Sequence, residues 1–261
     1  MGFLSFLFGK RKPAVIGLVL GSGGAKGFTH LGALKAFEEN GIEFDVVGGT
    51  SIGSVVGAFY ADGYTSTDIS GLISGISLKD LLSGIPFNMD MSKIKNIIEK
   101  QIGGKTIEEL KKPFVCVATD ADDMTEVVIK QGKVSTALCA SSCFMPYFRP
   151  VVDTEGRRLI DGAYVNSIPA DRVKELGADY IVGIDLSAFG GTETKEKTSA
   201  VGYEICDVML TPDLSEFSAL AYNKKDEMFD LGYQSAMAHM DKIKADYKLL
   251  KAGKKPKSKK A

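Results

Sequence analysis

The chain has no tryptophan, two histidines and four cysteines in 261 residues. Each scarcity narrows the chemistry. With His30 and His239 alone, and no Cys-x-x-Cys pair among Cys116, Cys139, Cys143 and Cys206, the spacing of a zinc site is missing. The cysteines read as reduced core thiols of a cytosolic protein. A net charge of -1 gives no general attraction to nucleic acid. No apolar run reaches the roughly 20 residues that span a bilayer. Residues 1–9 are apolar but short, and Lys10, Arg11 and Lys12 follow them, the reverse of a secretory signal. Phe6 stands where myristoylation requires Ser or Thr. On a helix, Phe3, Leu4, Leu7 and Phe8 would share one face beside the basic cluster. That face reads either as a small interfacial anchor or as a segment packed on its own domain.

What is present is 44% hydrophobic residues, which suits one large α/β domain, or one domain with a small appendage. Residues 14–20 form an apolar run rich in β-branched side chains, the pattern of a strand buried on both faces. The glycine-rich stretch 21–27 follows at once, then an amphipathic helix to about Asn40, ended by Gly41. Residues 44–47 predict a second strand and 52–61 the helix behind it, stopped at Gly63. Strand, helix, strand, helix is the order of a parallel sheet covered on both faces. Further on, 93–101 and 107–112 have helical spacing. Residues 113–119 predict a strand and 125–130 its partner. A helix over 134–143, a short strand over 158–161, a helix over 169–176 and a last buried strand over 180–185 follow. Residues 190–198 read as a polar loop and 199–250 as helices only. The expected organisation is an apolar and basic segment over 1–12, an α/β core over 13–190, a helical region packed on it over 191–250, and a basic, disordered tail over 251–261. That tail could also lean on anionic lipid.

Gly49-Thr50-Ser51-Ile52-Gly53 lies where the second strand joins its helix. A serine held at a sharp strand-to-helix turn takes strained dihedrals, so its close neighbours must lack side chains. The helix that follows directs its free N–H groups and positive dipole end at the serine oxygen. The competing reading is a glycine-rich turn with a serine N-cap.

The loop Gly21-Ser22-Gly23-Gly24-Ala25-Lys26-Gly27 invites a dinucleotide reading. That motif wants an acid at the end of the second strand, about 20 residues on. Here the strand runs into Gly48-Gly49-Thr50-Ser51, and Glu43 and Asp45 lie before or within it. The phosphate loop of nucleotide hydrolases fails because Lys26 is followed by Gly27. The remaining use is an oxyanion hole. Consecutive small residues let backbone N–H groups converge, and loops after adjacent parallel strands meet at one sheet edge.

A serine nucleophile needs a proton acceptor. His30, one turn into the first helix, reads as a packed core residue. His239 reads as mid-helix, with no strand before it, unlike the loop histidine of an α/β-hydrolase. Asp161-Gly162-Ala163 ends a short strand, and an aspartate there can act directly; otherwise it is a turn residue. Asp120, Asp122 and Asp123 form an acidic turn without the glycine and glutamate of a calcium loop, and read as a hairpin. Asp185 ends a strand and competes for a place near the site.

Taken in order over about residues 15–186, Gly21-x-Gly23-Gly24-x-Lys26-Gly27, Gly49-x-Ser51-x-Gly53, Ala140-Ser141 with Pro146, and Asp161-Gly162-Ala163 with Asn166 and Pro169 resemble the patatin-like phospholipase family. The resemblance implies a three-layer α/β/α fold with a mostly parallel central sheet. It also implies a Ser-Asp dyad that hydrolyses acyl esters of phospholipids or lysophospholipids, with no cofactor and no metal. Ser51 is then the nucleophile and Asp161 the base. The backbone of Gly23 and Gly24, with Gly21 or Ala25, makes the oxyanion hole, and Lys26 supports the loop or contacts phosphate. Two departures are Cys143, where the family often has serine, and Ala163, where it more often has glycine. Met209, Leu210, Phe217, Leu220 and Met228 either wall an acyl channel or pack the sheet edge. The expected location is cytoplasmic, with peripheral contact at the inner membrane surface through Phe3, Leu4, Leu7, Phe8 and the basic residues. Two other classes compete: a catalytically silent membrane-binding module of the same fold, and a nucleotide-dependent oxidoreductase using the glycine loop.

Overall fold

The computed structural model describes residues 12–75, 89–186 and 201–256. The face of Phe3, Leu4, Leu7 and Phe8, its cations Lys10 and Arg11, the 190–198 loop and residues 257–261 of the tail lie outside the described residues.

Among the described residues, one sheet of eight strands organises the chain. Strand β1 (Ile16–Leu20) sits at its centre, parallel to β2 (Val46–Thr50) on one side and to β7 (Tyr180–Ile184) on the other. The period of two along a strand sends alternate side chains to opposite faces. Ile16, Leu18 and Leu20 enter one core, while Val19 enters a second with Ile181 and Val173. The first core is covered by α1 (Phe28–Glu39), α2 (Ile52–Ala61), α3 (Ser66–Gly75), α4 (Ser92–Ile102), α5 (Val134–Ser141) and the long α7 (Lys225–Lys251). The second is covered by α6 (Ala170–Glu175). A sheet with a core on each face is the three-layer α/β/α arrangement expected from the alternating strands and helices. All four cysteines are buried and none is in a disulfide, and burial pushes the Cys116, Cys139 and Cys143 thiols up to about 12.

Several elements differ from the sequence-based expectation. Strand β2 runs on through Gly48 and Gly49, which read as turn residues. Glycine is required there by packing: a Cβ on Gly48 would lie 2.4 Å from Val173 Cγ2 of α6. Residues 107–112 form only a single tight turn over Ile107–Glu109, closed by a capping box between Thr106 and Glu109. Residues 199–250 are not helical throughout. Strand β8 (Val208–Leu210) extends the sheet parallel to β7, pairing Val182 with Val208 and Ile184 with Leu210. Three residues are too few to show a period of two, so only the neighbouring edge makes them a strand. A strand therefore does precede His239. Lys251, expected to open the tail, instead ends α7, its ammonium 5.2 Å from the centre of the Tyr247 ring.

Helix α7 holds α1, and so the glycine loop that leads into it. The two cross where Gly32 and Gly232 face each other's backbones. A Cβ on Gly32 would stand 1.9 Å from the Phe229 carbonyl oxygen, and one on Gly232 1.9 Å from that of Thr29. Only residues without side chains permit that approach.

Candidate active site

Strand β3 (Phe114–Asp120) brings the two proposed reacting residues together. It pairs in parallel with β2 through residues 114–117. It pairs antiparallel with β4 (Glu126–Ile129) through 116–119, and with β6 (Arg158–Asp161) through 118–120. Cys116 and Val117 are thus paired on both edges, by β2 and β4, and Ala118 and Thr119 by β4 and β6. It follows that β4 fills one edge while β2 and β6 share the other, end to end. Thr50 lies opposite Val117 and Asp161 opposite Ala118. Ser51, the next residue after Thr50, leaves the sheet where Asp161 arrives. Residues 110 apart in sequence meet because two strands end at adjacent positions of a third.

Ser51 occupies the turn between β2 and α2 with φ 55° and ψ -125°, outside the ordinary regions for a residue with a side chain. Its neighbours show why the flanking glycines are needed. A Cβ on Gly49 would be 2.3 Å from the Gly53 carbonyl oxygen, and one on Gly53 2.1 Å from that of Leu20. Hydrogen bonds hold the strained backbone on both sides. Ser51 N–H donates to Ser141 Oγ at 3.0 Å, and Ser54 Oγ donates to the Ser51 carbonyl at 2.6 Å. The side-chain hydroxyl donates to Asp161 Oδ2 at 2.6 Å.

Asp161 is 1% exposed. Its second oxygen, Oδ1, accepts from Ala163 N–H at 2.9 Å. Its backbone is fixed by Cys143, whose carbonyl accepts Asp161 N–H at 3.0 Å, and by Thr119 Oγ1, which donates to the Asp161 carbonyl at 2.8 Å. Burial raises the carboxyl pKa to about 6, against the opposing pull of the Ser51 and Ala163 hydrogen bonds. A carboxylate with that value is ionised at neutral pH and more basic than an ordinary aspartate, which is what a proton acceptor needs.

The glycine loop faces this pair, but its amides divide. Gly21 N–H donates to Ile184 at 3.0 Å, Ser22 N–H to Ser167 at 3.1 Å and Ala25 N–H to Ala219 at 2.7 Å. The expectation that Gly21 or Ala25 completes an oxyanion hole is corrected on that ground, since each of those donors already has a carbonyl. Gly23 and Gly24 remain. Gly24 begins the single 3-10 turn Gly24–Gly27, and amides at the start of a helix have no partner within it. Gly24 also has φ +56° and lines the cavity with Ser51. Lys26 does not line that cavity. It is buried, and burial lowers its pKa while the nearby Asp185 raises it. Of the two roles expected for it, loop support fits this placement and phosphate contact does not. Asp185 itself accepts from Tyr203 Oη at 2.7 Å, away from the cavity lining.

Neither histidine hydrogen-bonds Ser51 or Asp161. His30 is buried, and its Nε2 donates to the Gly21 carbonyl at 2.8 Å. Burial lowers its pKa to about 4, so it is neutral and pins the loop. His239 lies within α7, its Nδ1 2.9 Å from the Ser235 carbonyl one turn back. The acidic stretch is the β3–β4 hairpin, with Asp122 paired to Arg158 and Asp123 capping Thr125. Among the described residues, no three His, Cys, Asp or Glu converge as a metal site.

A cavity of about 350 Å³ opens beside Ser51 and Asp161. Its walls are mostly apolar and come from α2, α3, α4, α5 and the turn after α5: Val55, Ile73, Ile94, Ile98, Leu138 and Phe148 among them. Of the five residues expected to wall an acyl channel, Leu220 does so, joined by Ser218, Ala219 and Tyr222. Met209 and Leu210 lie in β8, and Phe217 and Met228 pack into the first core. The sequence reading missed Ile94 and Ile98, although their spacing of four marks an apolar helix face. Ser141 belongs to a stretch that the sequence sets apart with Pro146, but its contact with the Ser51 amide, and that of the Cys143 carbonyl with the Asp161 amide, appear only in the structure.

The Patatin-like phospholipase family model matches residues 18–174. Human patatin-like phospholipase domain-containing protein 6 is 29% identical over an alignment that covers 85% of this chain and 20% of that protein. Neuropathy target esterase sws of Drosophila melanogaster is 34% identical over 68% of this chain and 13% of its own. The chain therefore spans a small part of the length of these relatives. Among solved structures, VipD from Legionella pneumophila shares the fold with a TM-score of 0.65, at 16% identity, covering 89% of this chain and 68% of that one.

Proposed function

The chain belongs to the patatin-like phospholipase family, and from that membership we propose that it is a serine esterase hydrolysing acyl esters of phospholipids or lysophospholipids. The observation that carries the reading is the 2.6 Å hydrogen bond from Ser51 Oγ to Asp161, made inside an apolar cavity that suits a lipid chain. In this mechanism Ser51 Oγ attacks the ester carbonyl carbon as its proton passes to Asp161 Oδ2. The carbonyl oxygen becomes an oxyanion held by the N–H groups of Gly23 and Gly24. Collapse of the tetrahedral intermediate expels the alcohol, which takes the proton from Asp161. Water then attacks the acyl-enzyme, again giving its proton to Asp161, and the fatty acid leaves as Ser51 is restored.

The strain at Ser51 supports a chemical role, because a serine used only as a helix cap does not need φ 55°. The same intact pair argues against a catalytically silent module. The absence of an acid at the end of β2 argues against dinucleotide binding, since Thr50 and Ser51 stand there. Aqueous and membrane-surface placements both fit a chain in which no described helix is long and apolar enough to cross a membrane. Peripheral contact through Phe3, Leu4, Leu7, Phe8 and the basic residues, and the division of the chain at 12, 190 and 250, belong to the same proposal. Labelling with a fluorophosphonate tests it: mass spectrometry should place the adduct on Ser51, and Ser51→Ala should abolish both labelling and hydrolysis of a short-chain ester. An adduct elsewhere, or turnover retained by Ser51→Ala, would refute the assignment.

A further inference from the structure

The chain that follows Asp161 touches the other two parts of the site. It makes the single 3-10 turn Gly162–Tyr164, and Asn166 N–H closes onto the Gly162 carbonyl at 2.9 Å. The Asn166 carbonyl then accepts Thr50 Oγ1 at 2.8 Å, on the residue before the nucleophile. The Ser167 carbonyl accepts Ser22 N–H at 3.1 Å, on the residue before Gly23. The hydroxyls of Ser22 and Ser167 form a further hydrogen bond of 2.6 Å. Both serines are buried, and neither lines the cavity. The turn is itself held, because Asn166 Nδ2 donates to Glu126 Oε1 at 2.9 Å and to Asp171 Oδ1 at 3.0 Å.

Gly23 and Gly24 carry the amides assigned to the oxyanion, and glycine has the freest backbone of any residue. Their neighbours must therefore set the direction of those amides. On one side Ala25 N–H is tied to the Ala219 carbonyl at 2.7 Å. On the other, Ser22 is tied to Ser167 by backbone and side chain together. The backbone bond alone would leave Ser22 free to swivel about it; the hydroxyl bond to the same partner residue fixes its orientation. Stability does not call for hydroxyls here. A buried hydroxyl pair exchanged together for apolar groups is close to neutral, whereas losing one partner strands the other.

We propose that Ser22 and Ser167 are positioning residues for the oxyanion hole, their hydroxyl pair locking the glycine loop to the turn that begins at Asp161. The same turn grips Thr50, so base, nucleophile and oxyanion donors are held as one body. The inference rests on the esterase reading and deepens it, naming what aims the Gly23 and Gly24 amides. Neither serine touches substrate. Their loss acts where the oxyanion exists, in the transition state, and not on binding of the ester. A misplacement of about 1 Å can cost about a hundredfold in rate, so a loosened loop should cost at least about tenfold.

The test compares the parent with Ser22→Ala, Ser167→Ala and the double variant on p-nitrophenyl butyrate. Each single change should lower kcat at least about tenfold and leave KM within about twofold. An alkyl trifluoromethyl ketone, whose adduct with Ser51 carries an oxyanion, should lose affinity by the same factor as kcat/KM. The midpoint of the pH profile should match the parent's, since Asp161 keeps its own partners. The double variant should be as slow as the singles, because the two hydroxyls act as one unit. A merely structural pair predicts the reverse, with turnover recovered once both partners are gone. Recovery in the double variant, kcat within about twofold of the parent in the singles, a loss confined to KM, or a displaced pH midpoint would each overturn the inference. If one single variant does not accumulate, the other tests the pair from its own side. Fluorophosphonate labelling is run alongside. Labelled Ser51 with unchanged kcat in the variants removes this inference and leaves the esterase reading intact, whereas a parent protein that neither labels nor hydrolyses the ester removes both.

Discussion

Replacing Asp161 by asparagine should make the protein more stable while abolishing its chemistry. The carboxyl is buried and its pKa is raised from 3.8 to about 6. Between those values the folded protein holds a proton that the unfolded chain has released, so stability falls as pH rises through this window. Integrated with these two values, ionised Asp161 costs about 3 kcal/mol at pH 7.5 and about half of that at pH 5. Asparagine mimics the neutral carboxyl in size and can still accept a hydrogen bond, but has no charge to desolvate. Denaturant unfolding of the parent and Asp161→Asn at both pH values is the assay. The variant should gain about 2–3 kcal/mol at pH 7.5, and its advantage should shrink by more than 1 kcal/mol at pH 5. Equal stability at pH 7.5, or an advantage independent of pH, would refute the argument that burial sets the basicity of this group.

Four further outcomes follow from the same geometry. Turnover of a short-chain ester should fall about tenfold per unit below pH 6 and level off above it, because only ionised Asp161 accepts the proton; a profile flat down to pH 5 would contradict the value of about 6. Ser51→Ala and Asp161→Asn should each cost about as much turnover as the double variant, while His239→Ala stays within a few-fold of the parent; an inactive but folded His239→Ala would replace the dyad with a triad. Gly24→Val places a side chain at φ +56° with its Cβ 2.5 Å from the Ala219 carbonyl oxygen. Loss of the oxyanion donor should lower kcat by about 10²–10³, and near-parental kcat would exclude the loop from that role. Gly232→Ala puts a Cβ 1.9 Å from the Thr29 carbonyl oxygen and should destabilise by about 1–3 kcal/mol, read as a lower melting temperature; an unchanged one would show that α1 and α7 can separate freely.

The central strands and their helices were legible because hydrophobic period and glycine punctuation act locally. Residues 14–20 announce β1 through an unbroken apolar run, and Gly41 and Gly63, at φ +66° and +90°, stop the helices where the sequence places the stops. Beyond those signals, neighbours decide. Gly48 is a strand residue because Val173 leaves no room for a side chain, and β8 is a strand because the β7 edge offers it partners. Sequence leaves Met209, Leu210, Phe217, Leu220 and Met228 between channel wall and sheet-edge packing because apolar side chains carry the same pattern whether they face a core or a channel.

The sequence by itself determined the chemistry within reach of one turn: a serine between two glycines, a loop of small residues, an aspartate at a strand end. Those features depend on local backbone freedom, which residue type controls directly. Only the tertiary structure decided which of them lie together. Ser51 meets Asp161 because β2 and β6 end beside each other on one edge of β3. Among the described residues, Ile184, Ser167 and Ala219, all distant in sequence, take the amides of Gly21, Ser22 and Ala25 and none takes those of Gly23 and Gly24. The basicity of Asp161 likewise comes from burial by surrounding residues, a property of the folded environment that no single segment carries.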